Sequence, residues 1–463
     1  MADGSPLGTH LQARSDAVGN LAVFRPGSGG GERAPAVCVQ GHIDMVTEAD
    51  GDFDFERTPL SVVREGDWVT AEGTTLGADN GIGVAAALAL LDSAADAPLP
   101  PLEALFTVDE ETGLTGAFGL DAKALGITAK KMLNLDTEEW GSLYVGCAGG
   151  GDSILTLPVE REACAMGAPR ALEVRVSGCL GGHSGLNIGE DRANALLLAA
   201  CCAEAALRAA GGSARLDGLS GGDKRNAIAR DARAVVVADG DAAAEAAMAA
   251  VSSRAVELKE EYGELETGLT VDVAIMPESE AIETTLSANS AERLLSLLSL
   301  LPHGVDKYSH AIPGLVETSN NVASAQLAAG GGAVEIVTAT RSSLTPALER
   351  VRRTIRRAAE RCGGSAEQPE AYPGWAPNPT SELLGVVKGE LAGMLGAEPE
   401  VKAIHAGLEC GMLGAKCGGM DAISYGPTIT GAHSPDERVQ VSTVAPFYEL
   451  TERVLAKLAK EEC

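Results

Sequence analysis

Three consecutive acids at the end of an apolar run constrain this chain more than any other feature. Residues 105–113 read LFTVDEETG, so a β-forming segment stops at Asp109, Glu110 and Glu111 and is followed by a Thr-Gly turn signal. This pattern predicts carboxylates at the C-terminal end of a buried strand, where open α/β sheets bind their ligands. Three like charges repel one another, so the arrangement favours either a bound cation or a carboxyl group that stays protonated.

Two further predicted strands end in residues that can bind a metal. The apolar run at 36–39 leads to His42 and Asp44, which share a face if the chain stays extended. The run at 131–135 ends in Asp136. A lone His at a strand end is more often structural than a ligand, but a nearby carboxylate can fix the tautomer of a metal-bound imidazole. Chance placement does not readily explain several strands that all finish in this way.

The Gly-rich segment at 77–83, which reads GADNGIG, allows two interpretations. It imitates a dinucleotide-binding fingerprint, but no clear βα unit with an acid at the next strand end supports that reading. Alternatively, the glycines let the backbone turn tightly and direct Asp79 toward the edge where the acids lie. His433 lies in a Gly- and Pro-bounded loop, where functional groups are commonly held.

Together these segments supply imidazole and carboxylate ligands, namely His42, Asp79, Glu110, Glu111, Asp136 and His433. A mixed nitrogen and oxygen set suits zinc, with manganese or cobalt as alternatives, and has too little sulfur for an iron–sulfur or structural zinc site. The set is large enough for two metal ions that share a carboxylate, with one acid left as a base.

The length of 463 residues predicts two domains, with three as the alternative. From residue 172 the pattern alternates between apolar and polar residues, and a strand–loop–helix order recurs between 334 and 361. We therefore predict an α/β fold in which residues 1–168 and 372–463 form a catalytic domain. Residues 169–371 form an inserted α+β domain with an antiparallel sheet made of two related halves.

Charge and cysteine usage exclude several classes of partner. The net charge of −29 would repel nucleic acid and anionic membranes. The ten cysteines form no CxxC pair, which is typical of reduced thiols rather than a disulfide framework. No apolar run reaches the length of a membrane span, and no signal-peptide pattern begins the chain. We expect a cytoplasmic protein that binds neither nucleic acid nor membrane.

The motifs, in their order and spacing, resemble the M20-type metallopeptidases, and within them the bacterial aminoacyl-histidine dipeptidases. The resemblance covers nearly the whole chain and rests on GHIDMV, GADNGIG, TVDEETG, NLDTEE, GGHSG, RNAI, YPGW, HAGLECG and the His433 loop. It implies a zinc-peptidase-like catalytic domain with a mixed central sheet flanked by helices. It also implies that the inserted domain is a lid and dimerisation domain, so that a homodimer is the assembly this architecture allows.

The resemblance assigns a role to each candidate ligand. It implies that His42 and Asp136 bind one zinc ion, that Glu111 and His433 bind the other, and that Asp79 bridges the two.

Two further residues complete the implied catalytic group. Asp44 would orient its neighbouring ligand, and Glu110 would be the general base that takes a proton from water and passes it to the leaving amine. The resemblance also implies a cis peptide bond between Asp79 and Asn80.

Substrate-binding residues are implied by the same resemblance. His183 would stabilise the oxyanion, while Asn226, Arg341 and the backbone at Gly407 would bind the ends of a dipeptide. An Arg suits a free carboxylate because its planar fork can bind both oxygens. As alternatives, His183 simply caps a helix, and Asn226 and Arg341 are ordinary loop residues. The remaining histidines, His10, His303, His310 and His405, are expected to be structural or exposed.

The leading hypothesis is thus a di-zinc dipeptidase that acts on small peptides of the Xaa-His, carnosine-like type. An aminoacylase or another amidohydrolase on the same scaffold is the alternative enzyme, and a catalytically silent metal-binding protein is the alternative outside the enzyme class. Residues 1–20 predict an irregular start, with little room for the helix that begins related proteins. We therefore expect either a truncated start or a differently packed first strand.

Overall fold

The computed structural model describes residues 11–277 and 282–461. Its helices are α1 (Ala78–Leu91), α2 (Thr115–Gly119), α3 (Ala122–Leu125), α4 (Ala195–Ala209), α5 (Asp241–Tyr262), α6 (Ala288–Leu300), α7 (Thr345–Arg361), α8 (Glu382–Leu395), α9 (Glu409–Lys416) and α10 (Val441–Leu458). Its strands are β1 (Gln12–Ser15), β2 (Leu21–Arg25), β3 (Val37–His42), β4 (Val62–Glu65), β5 (Trp68–Ala71), β6 (Leu102–Thr107), β7 (Lys131–Asn134), β8 (Ser142–Cys147), β9 (Gly149–Pro158), β10 (Arg161–Ala163), β11 (Pro169–Ser177), β12 (Ala214–Gly221), β13 (Ala232–Asp239), β14 (Thr270–Ile275), β15 (Thr284–Leu286), β16 (Gly304–Tyr308), β17 (Val316–Leu327), β18 (Ala333–Ser342), β19 (Ser365–Glu367), β20 (Glu400–Ile404), β21 (Asp421–Ser424), β22 (Ile429–Thr430) and β23 (Arg438–Gln440).

The chain divides into two compact units. The first unit contains the described residues up to Cys147, Trp375–Ile404, and those from Leu408 onward, while the second unit contains Ala148–Gly374 and His405–Gly407. The observed division thus falls earlier than the predicted boundary at 168, because β9 pairs with β18 along its whole length in the sheet of the second unit. The return to the first unit lies close to the predicted position at 372.

The first unit is built on a mixed sheet with the order β1-β2-β6-β3-β7-β21-β8-β20. Strands β6, β3 and β7 are parallel neighbours, so their C-terminal ends meet at one edge. Every residue of β3 and β6 is buried, as expected for apolar strands in the centre of a covered sheet. The α/β class predicted from the sequence is confirmed. A smaller sheet, ordered β22-β23-β5-β4, belongs to the same unit.

The second unit is built on an antiparallel sheet with the order β14-β11-β13-β12-β17-β18-β9-β19. Helices α4 and α5 contact the β11–β14 half, and α7 contacts β9, β18 and β19. This is the α+β architecture with two halves that the recurring strand–loop–helix order predicts. Buried aliphatic side chains from both halves form one continuous core.

The start of the chain differs from the expectation of irregular structure over residues 1–20. Residues 1–10, including His10, lie outside the described residues, but Gln12–Ser15 forms β1 and pairs with β2. The four exposed residues of β1 have no apolar periodicity. Backbone hydrogen bonds to β2, rather than burial, therefore define this strand. Within the described ranges, no helix combines the length and apolar character needed to cross a membrane.

Candidate metal centre

The carboxylate of Asp79 joins two groups of potential metal ligands. Its Oδ1 lies 3.1 Å from His42 Nε2, and its Oδ2 lies 3.3 Å from His433 Nε2. His42 Nε2 also lies 3.2 Å from Asp136 Oδ1, and His433 Nε2 lies 3.1 Å from Glu111 Oε2. Each oxygen of Asp79 therefore contacts a different imidazole. Oδ1 contacts His42, which also lies beside Asp136, and Oδ2 contacts His433, which also lies beside Glu111.

Sheet topology explains why these residues meet. His42 is the last residue of β3, Asp136 comes two residues after β7, and Glu111 follows β6. The ends of these parallel strands lie at the same edge, which is where open α/β sheets hold ligands. Asp79 lies at the start of α1, where its backbone angles are not helical, and the Asp79–Asn80 peptide bond is cis, as the resemblance implies.

Asp44 connects the end of β3 to the acidic run. Its Oδ1 and Oδ2 accept hydrogen bonds from the backbone N–H groups of Glu110 and Glu111, each at 3.1 Å. Its Oδ1 also lies 3.5 Å from His42 Nδ1, whose nearer contact is the Asp44 backbone oxygen at 3.1 Å. Asp44 is thus placed to orient both the imidazole and the turn that presents the two glutamates.

The carboxylates raise the pKa of both imidazoles. Burial opposes protonation of His42, but Asp136 and the neighbouring carboxylates raise its pKa well above the usual value. Hydrogen bonds to Asp79 and Glu111 raise the pKa of His433 to about 10. Burial raises the pKa of Asp136 to about 6. The raised pKa values of the two imidazoles reflect the carboxylates around them, whose negative charge a cation would compensate.

The donor set fits a divalent metal. The ligand atoms lie within 4.8 Å of one another in three groups: His42, Asp79 and Asp136; Asp79, Glu111 and His433; and His42, Glu110 and Glu111. In the described part of the chain, the buried oxygen Glu111 Oε1 has no hydrogen-bond partner. Buried carboxylate oxygens without partners are costly, and a metal ion is one group that satisfies them. Mixed imidazole and carboxylate donors suit zinc, manganese or cobalt.

Two more glutamates border the cluster. Burial and the charge of Asp136 raise the pKa of Glu110 to about 9. Burial and the charge of Asp79 raise the pKa of Glu138 to about 8. Glu110 is a predicted site residue, whereas sequence reasoning missed Glu138. The only signal for Glu138 is its position in the NLDTEE motif, two residues after Asp136.

A buried polar network lies beneath the strand ends, and sequence reasoning missed it as well. Glu409, at the start of α9, accepts hydrogen bonds from Gln40 Nε2 and Thr107 Oγ1, each at 2.6 Å. Gln40 also accepts a hydrogen bond of 2.5 Å from Asn134. The three partners, Gln40, Thr107 and Asn134, belong to β3, β6 and β7. Gln40 and Asn134 each come two residues before a predicted metal ligand. Burial raises the pKa of Glu409 to about 7.

In the second unit, His183 is held as a neutral hydrogen-bond donor. Its Nδ1 accepts hydrogen bonds from the backbone N–H groups of Gly185 and Leu186, at 3.2 and 3.1 Å. Burial and the charge of Arg341 lower its pKa to about 4. The proton of the neutral ring is therefore on Nε2, which is free to donate to an oxygen. The alternative that His183 caps a helix is not what the structure shows, since Asn194 caps α4.

Arg341 lies beside His183 and His405. Its Nε is 3.4 Å from Ser184 Oγ. Burial, Arg341 and His183 lower the pKa of His405 to about 3, and Ser319 Oγ lies 2.7 Å from His405 Nε2. Positive and neutral donors suit an anionic group.

The structure therefore gathers the predicted residues in two places. His42, Asp44, Asp79, Glu110, Glu111, Asp136 and His433 meet in the first unit. His183 and Arg341 lie in the second unit. Asn226 belongs to the same unit and is exposed, and its backbone oxygen accepts a hydrogen bond from the Ser184 N–H in the His183 loop. Gly407 belongs to the 405–407 segment of the same unit.

Comparison with known proteins gives a consistent result. Residues 38–457 match Peptidase family M20/M25/M40. The chain is 36% identical over 460 residues to the cytosol non-specific dipeptidase of Escherichia coli (strain K12). The aligned region covers 97% of this chain and 90% of that protein. The structure resembles aminoacylhistidine dipeptidase from Vibrio alginolyticus with a TM-score of 0.86 and 35% identity, over 96% of this chain and 89% of that chain. Aminopeptidase PepT from Bacillus cereus shares the fold, with a TM-score of 0.57 and 16% identity over 97% of this chain and 89% of that one.

Proposed function

This chain belongs to peptidase family M20/M25/M40, and on that premise we propose that it is a di-zinc dipeptidase that hydrolyses unblocked dipeptides, including those of the Xaa-His type. The resemblance to M20-type metallopeptidases stated from the motifs is confirmed, and the chain is a hydrolase of that family. The dipeptide substrate is taken from the names of the two relatives that are about one-third identical to this chain.

One observation carries the proposal. The two oxygens of Asp79 contact two different histidines, and each histidine has a second carboxylate beside it. We assign His42 and Asp136 to one metal ion, Glu111 and His433 to the other, and Asp79 to both. A pair of divalent ions held by these residues would lower the pKa of a bound water and polarise a carbonyl oxygen. The number of ions and their identity as zinc belong to the proposal.

Glu110 is the residue we assign as general base. Its backbone is held by Asp44, and its carboxyl group borders the ligand cluster. A carboxylate in this position accepts a proton from the attacking water and returns it to the leaving amine. Burial, followed by the charges of neighbouring carboxylates, raises the pKa of Glu110, and bound cations would neutralise those charges.

In the second unit, the donors are suited to the remaining charges of a dipeptide. The Nε2 proton of His183 matches a developing oxyanion, and the guanidinium of Arg341 matches a free carboxylate. We propose Asn226 and the Gly407 backbone as additional substrate-binding groups. We also propose that the second unit is a lid and dimerisation domain, that the protein forms a homodimer, and that it is located in the cytoplasm.

The test replaces Glu110 by Gln, which keeps the shape and removes the base. We expect kcat for an Xaa-His dipeptide to fall about 10²–10⁴-fold, the usual contribution of a general base, while the metal content stays unchanged. The matched control is Asp109→Asn, which neutralises an exposed acid of the same run that lies outside the ligand groups.

Metal analysis, together with turnover of unblocked dipeptides and of N-acyl amino acids, separates the alternatives. Turnover of only the N-acyl compounds would identify an aminoacylase. Bound metal without turnover of either class would identify a metal-binding protein without catalysis.

A further inference from the structure

Glu437 has an unusual set of hydrogen bonds. Its side chain is buried, and both of its oxygens accept from consecutive backbone N–H groups of residues 76–79. Oε2 accepts from Leu76 at 2.7 Å and Gly77 at 3.0 Å. Oε1 accepts from Ala78 at 2.7 Å and Asp79 at 3.3 Å. One carboxylate therefore holds the turn formed by residues 76–79, which includes the first two residues of α1.

The last residue of this turn is Asp79, whose carboxylate contacts His42 and His433. Gly77 has φ 73°, and a Cβ at this position would lie 2.7 Å from Met45 Sδ, so the turn requires glycine here. A left-handed residue among its neighbours lets successive backbone N–H groups point to the same side and surround one acceptor group. The backbone position of Asp79 thus depends on Glu437.

The backbone of Glu437 belongs to the loop that presents the other histidine. His433 has φ 63°, which a non-glycine residue adopts only when its surroundings hold it there. Within this loop, the Glu437 N–H donates to the Ser434 backbone oxygen at 3.0 Å, and Ser434 Oγ donates to the Gly431 oxygen at 2.7 Å. Thr70 Oγ1 donates to the Glu437 backbone oxygen at 2.7 Å, which fixes the loop to the small sheet.

We infer that Glu437 is a positioning residue that sets the distance between Asp79 and His433. The Glu437 side chain binds the turn at 76–79, and its main chain belongs to the loop at 431–437. These two segments lie far apart in the sequence. The inference rests on the proposed function only in that these two residues are assigned as metal ligands. An ordinary helix cap would satisfy one or two N–H groups of α1 and would not connect the helix to a second ligand.

The decisive variant is Glu437→Gln, which preserves size. The amide NH₂ would face two backbone N–H donors, because each carboxylate oxygen now accepts from two of them. We expect the variant to bind Zn²⁺ about 10–100-fold more weakly than the unchanged protein, the range found when partners of metal ligands are removed. Competition with a chromophoric chelator measures this affinity without reference to catalysis.

The matched control is Asp436→Asn, which removes an exposed charge from the adjacent position of the same loop. It should bind Zn²⁺ as tightly as the unchanged protein. Hydrogen exchange of the metal-free proteins provides a second readout. Glu437→Gln should lose protection at both 76–79 and 431–437, whereas a cap with a purely local role would lose it at 76–79 alone.

Unchanged Zn²⁺ affinity in a folded Glu437→Gln variant would overturn the inference and leave the proposed function intact. If the unchanged protein binds no Zn²⁺ and cleaves no dipeptide, the proposed function fails, and hydrogen exchange still decides whether Glu437 couples the two loops. Should Glu437→Gln not fold, Glu437→Asp retains the charge but shortens the reach. The same two measurements on that variant must then show weaker Zn²⁺ binding and joint loss of protection, or the inference is wrong.

Discussion

Two buried glutamates, one in each unit, hold Gly-containing loops that carry predicted site residues, but they do so differently. Glu437 in the first unit accepts from four consecutive N–H groups at 76–79. Glu266 in the second unit accepts from Leu180 at 2.7 Å and from Ala193 at 2.9 Å, at the two ends of the loop that contains His183.

The difference reflects what each loop must do. Asp79, which we propose as a metal ligand, requires a fixed position, and Glu437 binds every N–H group from 76 to 79. Glu266 holds the His183 loop at its ends. Between them, Asn187 Oδ1 accepts from the His183 N–H at 2.9 Å, and the Asn226 backbone oxygen accepts from the Ser184 N–H at 2.8 Å. Glu266 therefore binds two N–H groups that are far apart in the loop, rather than a run of consecutive ones. The two kinds of restraint predict different responses to ligands and mutations.

Metal removal should produce the largest effect and should be confined to the first unit. With Zn²⁺ at 1,000 times its Kd, linkage adds about 4.1 kcal/mol to the free energy of unfolding. Chelation should therefore lower the Tm and reduce hydrogen-exchange protection at 76–79 and 431–437. The loop at 180–193 serves as the internal control, and equal loss of protection there would remove the distinction between the two loops.

Replacement of Arg341 by Met should affect substrate binding without affecting the metal. A hydrogen bond to a charged group contributes about 1.5–3 kcal/mol, so KM for a dipeptide with a free carboxylate should rise about 10–150-fold. Zn²⁺ affinity should not change, because Arg341 contacts the Ser184 side chain and no predicted ligand. Arg208→Met, at an exposed position on α4, is the matched control. A change in metal content together with KM would contradict this separation.

Glu266→Gln should have a smaller effect, limited to the second unit. One of its two N–H partners would then face an amide NH₂, which costs about 1–3 kcal/mol when the group is buried. Urea unfolding should report this loss, and protection should fall at Leu180 and Ala193. The exposed Glu264→Gln is the control. Weakened Zn²⁺ binding by Glu266→Gln would show that the two loops are not independent.

The pH dependence of stability should show the smallest effect, at Glu409. Burial raises its pKa from 4.5 to about 7, so the folded protein binds this proton more tightly than the unfolded chain does. The stability from this proton is present below pH 4.5 and is lost as the pH rises through about 7. In chelator-treated protein, the Tm of Glu409→Gln relative to the unchanged chain should therefore increase between pH 4.5 and 7 and level off above. A Tm difference that stays constant over this interval would show that Glu409 is already charged in the folded state at these pH values.

The sequence by itself predicted which residues of the sheet meet at the candidate metal centre. His42, Glu110, Glu111 and Asp136 lie at or after the ends of short apolar strands, and this strand pattern can be read locally. The C-terminal edge of an α/β sheet is where ligands are commonly held, which predicts that these residues meet. The order of the motifs added Asp79 and His433 to the predicted metal ligands and indicated the family. The length and alternation of the segments also predicted an α/β unit with an antiparallel insertion.

Only the tertiary structure decided how those ligands are held and where the units divide. The bonds from Glu437 to 76–79, and from Glu409 to Gln40 and Thr107, join residues more than 300 positions apart. The assignment of β9 to the second unit likewise depends on its pairing with β18. Hydrophobic periodicity encodes local conformation and burial, whereas a polar side chain finds its partner only after distant segments have packed together.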